Sequence, residues 1–145
     1  MRFNGRWFQC DDGVFRPVIR GEIQTVDGEW EFLELLIDTG ADRTVLSADV
    51  LGFLGLPPRK SAAQIGGLGG IAESVTVSTQ LRLTRDDGVK AAFRSDYVAC
   101  TNRDSLDMSI LGRDILELFA LIADRKQNVL ALLAGQHSYS ILKTS

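Results

Sequence analysis

Histidine occurs once, cysteine twice and proline three times in this chain of 145 residues. The one histidine, His137, lies in a polar C-terminal stretch with Ser138 and Ser140, which offers little for a Ser-His-Asp triad or a histidine metal centre. Cys10 and Cys100 are far apart and have no neighbours at metal-ligand spacing, so neither a disulfide framework nor a zinc site is indicated. No metal and no cofactor is expected. No apolar run approaches the roughly 18 residues of a membrane-spanning helix, and Met1 to Trp7 lacks the apolar centre of a signal peptide. These absences lead us to expect a cytoplasmic protein in a reducing compartment with no membrane span. Arg2, Arg6, Arg16, Arg20, Arg59 and Lys60 are scattered and the net charge is −3, which speaks against nucleic acid or an anionic membrane as partner.

What is present is ordinary for one globular domain with one core: 45% of residues are hydrophobic and 24% charged. Val14 to Thr25 and Trp30 to Ile37 read as two strands around the turn signal Asp27-Gly28. Thr44 to Leu46 continues extended. Ser47 then has the character of an N-cap for a short helix through Leu54, stopped by Gly55 and Pro57-Pro58. Ser61 to Ile65 and Ala72 to Leu83 flank a glycine-rich stretch, and Ala91 to Cys100 follows a second Asp-Gly turn. Ser109 to Leu111, Leu121 to Asp124 and Val129 to Leu133 complete the predicted strands, with helical spacing over Asp114 to Phe119. Many short strands with two short helices predict a mainly antiparallel β domain.

Two motifs stand out. Leu35-Leu36-Ile37-Asp38-Thr39-Gly40-Ala41-Asp42 delivers a carboxylate from the end of an apolar strand onto a glycine-containing turn. Taken alone, the tripeptide Asp38-Thr39-Gly40 reads equally as a turn in which the aspartate bonds its own backbone. Ile65-Gly66-Gly67-Leu68-Gly69-Gly70-Ile71 reads as a hairpin tip able to open and close, or as a plain surface hairpin. Residues 67 to 72 also fit the G-x-G-x-x-A dinucleotide fingerprint, with Asp87 near the expected distance. That fingerprint needs a helix after the glycines, whereas Val75-Thr76-Val77-Ser78-Thr79 is β-branched and strand-like.

The chain resembles the retropepsin, or retroviral-type, aspartic peptidase family at three places in the family's order. These are Leu36 to Asp42, Ile65 to Ile71, and Ile110-Leu111-Gly112-Arg113-Asp114. Ile122-Ala123-Asp124 and Lys126 to Leu130 look more like its cellular, DNA-damage-inducible branch. The resemblance implies a closed acid-protease β domain over residues 14–133, with a 1–13 extension and a 134–145 tail. It implies a homodimer whose active site lies on the two-fold, with Asp38 as the catalytic carboxylate. Thr39 would bond across the two-fold and Gly40 would receive a substrate amide. Ala41, Val45, Ile65, Gly67, Leu68, Gly69 and Ile110 would contact a polypeptide substrate. Asp42 and Arg113 would form a partly buried ion pair bracing the active-site turn. The expected activity is aspartic endopeptidase; the alternative is a catalytically silent dimer that binds peptides or only dimerises.

Overall fold

The computed structural model describes residues 2–60, 65–67 and 70–135. Two strands open the chain, β1 (Arg2–Asn4) and β2 (Arg6–Gln9), followed by the long β3 (Phe15–Gln24) and β4 (Trp30–Ile37). Then come β5 (Val45–Leu46), helix α1 (Ala48–Leu54), β6 (Arg59–Lys60), β7 (Ile65–Gly67) and β8 (Gly70–Ala72). The second half holds β9 (Ser74–Thr84), β10 (Lys90–Cys100), β11 (Ser109–Leu111), α2 (Arg113–Leu116), β12 (Ala120–Asp124) and β13 (Val129–Leu133). The domain is mainly β, as the strand spacing predicted.

Three hairpins share one turn construction. In each, a glycine at positive φ closes a loop whose flanking residues pair: Cys10 N to Val14 O at 2.9 Å, Thr25 N to Glu29 O at 2.9 Å, and Arg85 N to Val89 O at 2.8 Å. The glycines are Gly13 (φ 82°), Gly28 (φ 81°) and Gly88 (φ 88°), each preceded by aspartate. A side chain there would be forced into the left-handed region, which is why glycine ends these loops.

The main sheet runs β2-β3-β4-β11-β5-β10-β9-β6, and a further β3–β9 pairing bends it closed. Alternation sets its faces. Ile19 and Ile23 of β3, and Leu33, Leu35 and Ile37 of β4, are buried against Leu46, Leu81, Leu83 and Leu111. A smaller sheet, β1-β13-β12, covers one end of this core. Residues 2–9 are therefore part of the folded body: Phe3 is buried, Gly5 N bonds Leu130 O at 2.9 Å, and Trp7 Nε1 donates to Val129 O at 3.0 Å.

Helix α1 begins where the sequence places it. Ser47 caps it by accepting from Val50 N at 3.5 Å, and Gly55 (φ 69°) ends it. Helix α2 is shorter than the Asp114 to Phe119 spacing predicted. Leu118 N and Phe119 N bond back only three residues, to Ile115 O and Leu116 O, and Ala120 already pairs with Leu133. Strand pairing takes over from the helix, and Phe119 turns in to meet Phe3 and Phe93 edge-on at 5.3 and 6.0 Å.

Glu22 joins β3, β9 and β10 on the outer face. It accepts from Arg82 Nε and Nη2 at 3.1 and 3.0 Å and from Lys90 Nζ at 2.9 Å, while Arg82 stacks 3.8 Å from the Trp30 ring centroid. The Arg82 bonds, seconded by Lys90, hold its carboxyl below the ordinary value of 4.5. A carboxyl lowered on folding contributes stability that is complete above its unfolded value and is lost as pH falls through the folded one. Thermal melts of wild type and Glu22→Gln should therefore differ most near neutrality and converge on acidification; a gap unchanged down to acid pH would contradict this role.

Candidate active site

Because Leu33, Leu35 and Ile37 of β4 face the core, Leu36 and Asp38 face the other side. Asp38 follows the last strand residue and keeps the ladder going, its N–H bonding Leu111 O of β11 at 3.1 Å. The chain then turns sharply. Asp38 Oδ1 accepts from Gly40 N at 2.9 Å and Asp38 O accepts from Ala41 N at 3.2 Å. The self-capped turn and the presented carboxylate are one geometry: one oxygen is tied to the backbone while the half-buried group stays open to solvent beside exposed Thr39 and Gly40.

The turn is braced from α2. Arg113 N donates to Ala41 O at 2.8 Å and Asp114 N to Asp42 O at 3.2 Å. Below them lies an arrangement that the sequence reasoning did not assign. Thr44, 1% exposed, gives its N–H to both Asp114 oxygens at 3.0 Å and its hydroxyl to Asp114 Oδ1 at 2.8 Å. The same hydroxyl accepts from Gly112 N at 3.1 Å. Gly112 is required by closeness, since a Cβ there would lie 2.3 Å from the Arg43 carbonyl carbon. An aspartate in the first turn of a helix is ordinary, so only the fold reveals its partner.

Arg113 Nη2 contacts Asp42 Oδ1, but their side chains are 45% and 81% exposed. The expectation of a partly buried pair is therefore corrected. Solvent screens this bridge, and it is worth at most about 1 kcal/mol in the isolated chain.

Of the expected substrate contacts, Ile110 is half-buried and sits between Leu36 of β4 and Val45 of β5, on the Asp38 side of the sheet. Val45 is itself buried. The β7–β8 hairpin pairs Ile65 with Ala72, Gly66 with Ile71 and Gly67 with Gly70, and Leu68 and Gly69 between them lie outside the described residues. His137 lies outside them too. The glycines lead into strands, not the helix that a dinucleotide site needs, and Asp87 is bonded to Arg85 in a hairpin turn.

A cavity of about 820 Å³ opens on this side of the sheet, with Leu36 and Ile110 among its lining residues. Asp12 is another lining residue, its carboxyl pulled down to about 2 chiefly by side-chain bonds to Arg16 at 3.0 and 2.7 Å. Among the described residues no group of three or more His, Cys, Asp and Glu side chains is arranged to hold a metal ion. No helix among them is long and apolar enough to cross a membrane.

A family profile described as retroviral aspartyl protease matches residues 15–121. This chain belongs to that family, the retropepsin-like aspartic proteases. Among solved structures, a retropepsin-like aspartic protease from Rickettsia conorii is 19% identical with a TM-score of 0.54, over 91% of this chain and 88% of that one. It is similar in fold. The EIAV protease complexed with the inhibitor HBY-793 is 29% identical over 70% of this chain and 86% of that one, with a TM-score of 0.49. No curated protein gave a significant match.

The two braces should separate in stability measurements. Asp114→Ala strands the buried Thr44 donors and should lower unfolding free energy by about 1–3 kcal/mol. Arg113→Ala should cost the isolated chain under about 1 kcal/mol. Chemical denaturation of both variants checks this, and a larger loss for Arg113→Ala would reverse the assignment.

Proposed function

We propose that this chain is an aspartic endopeptidase acting as a homodimer, in which Asp38 of each copy meets its counterpart at the two-fold. The observation that carries the reading is the Asp38 turn in a member of this family: a carboxylate open to solvent, with one oxygen fixed by Gly40 N at 2.9 Å and its turn tied to α2. One such turn supplies half of the chemistry. Two carboxylates about 3 Å apart cannot both ionise, so the pair shares a proton. The ionised member takes a proton from water as its oxygen attacks the peptide carbonyl carbon. The protonated member gives its proton to the carbonyl oxygen. Collapse of the tetrahedral species returns a proton to the departing amine.

Thr39 hydrogen-bonds across the two-fold and fixes the carboxylate spacing, while Gly40 O accepts a substrate amide. Ala41, Val45, Ile65, Leu68 and Ile110 meet substrate side chains. The β7–β8 hairpin closes over an extended peptide held by main-chain bonds, with Gly67 and Gly69 among the residues that contact it. Arg113 and Asp42 steady the turn from outside. A two-fold contact is supported by the small sheet, where β12 has a strand on one side only among the described residues and Ile122 is 40% exposed. Residues 14–133 form the catalytic unit, and the sequence likeness of Ile122-Ala123-Asp124 and Lys126 to Leu130 supports a kinship with the cellular, DNA-damage-inducible branch. Free Cys10 and Cys100 are consistent with a reducing, cytoplasmic setting.

Mass spectrometry of an unstructured peptide library incubated with wild type and Asp38→Asn, from mildly acidic to neutral pH, tests this reading. Wild type alone should cleave, with activity falling as rising pH removes the shared proton and falling again on dilution as dimers dissociate. Cleavage by both proteins would remove Asp38 from the chemistry, and cleavage by neither as a folded dimer would favour a peptide-binding module.

A further inference from the structure

The cavity on the Asp38 side of the sheet has two kinds of lining residue. Phe8, Leu36, Met108 and Ile110 give it an apolar wall, and Leu36 lies about 7 Å along β4 from Asp38 on the same face. Four carboxylates, Asp11, Asp12, Asp49 and Asp107, and two guanidiniums, Arg16 and Arg103, also line it. The guanidiniums are engaged: Arg16 bonds both oxygens of Asp12 at 3.0 and 2.7 Å, and Arg103 Nε lies 3.3 Å from Asp49 Oδ1. Asp11 and Asp107 have no ion-pair partner among the described residues. They come from separate loops, the β2–β3 turn and the segment before β11, and both are exposed.

Resting on the peptidase reading, we propose that this cavity selects a lysine or arginine side chain of the substrate close to the cleaved bond. Its methylene stem lies along Leu36, Met108 and Ile110, and its cationic head reaches the Asp11 and Asp107 carboxylates. Long cationic side chains suit such a site because their stems bury on apolar surface while the charged end stays hydrated. A carboxylate side chain would meet two uncompensated negative charges, and an uncharged apolar one would use the wall alone.

The test is a set of fluorogenic peptides identical except for Lys, norleucine or Glu at each position flanking the cut. Wild type should favour Lys over norleucine at one position by about fivefold in kcat/KM, the size of one partly screened ion pair, and Glu should be poorest. The preference should shrink as salt is raised. Asp11→Asn with Asp107→Asn should lose the Lys advantage while keeping the norleucine rate, since neither side chain belongs to the catalytic turn. Equal rates for Lys and Glu, or a Lys preference that survives the double substitution, overturns the proposal. If no peptide is cut, the peptidase reading has failed, and fluorescence anisotropy of the same labelled peptides decides the inference. Tighter binding of the Lys peptide, lost in the double variant, supports it, and equal binding overturns it.

Discussion

Strand β4 can bury only one of its two faces, and its register against β3 and β11 commits Leu33, Leu35 and Ile37 to the core. A slip of one residue would put Asp38 into that core, at the cost of a buried unpaired carboxylate. Hydrophobic burial along β4 therefore aims the carboxylate, and the parallel pairing with β11 brings Gly112 and α2 beside the turn that carries it. The close pass of Gly112 over Arg43 and the Thr44 to Asp114 bonds convert that proximity into a fixed geometry. The exposed Arg113 and Asp42 bridge lies outside this buried arrangement and adds little to it.

Much of the fold was legible because local chemistry and tertiary pairing agree. The β3–β4 and β9–β10 hairpins carry Asp-Gly signals between strands that alternate, and α1 carries both a serine cap and a stopping glycine. The same Asp-Gly signal at Asp12-Gly13 marks the β2–β3 hairpin, yet residues 1–13 read as an extension because β1 and β2 are too short to show a period. The partner of β1, β13, lies more than a hundred residues away, which no local pattern encodes. Helix α2 was overestimated for a related reason: Ile115, Leu116 and Phe119 have helical spacing, but the pairing of Ala120 with Leu133 claims the backbone first.

At the site, Asp38 to Ala41 was legible as a motif, while its support was not. Thr44 and Asp114 are unremarkable residue types until the fold brings them within 2.8 Å. The cavity belongs to the same class, since Asp11 and Asp107 are distant in sequence and converge with Leu36 and Ile110 around one space. The presented carboxylate was legible in sequence, whereas the residues that surround it are gathered only by the tertiary fold.

The central claim is that one active site needs two chains. Subunit mixing tests it most directly: a fixed amount of active chain is equilibrated with a ninefold excess of Asp38→Asn chain, and peptide cleavage is followed. If the site is shared, nearly all active chains enter mixed pairs and the rate falls to about one tenth. A rate unchanged by the added chain, with exchange between pairs demonstrated, would mean that each chain works alone and would contradict the account.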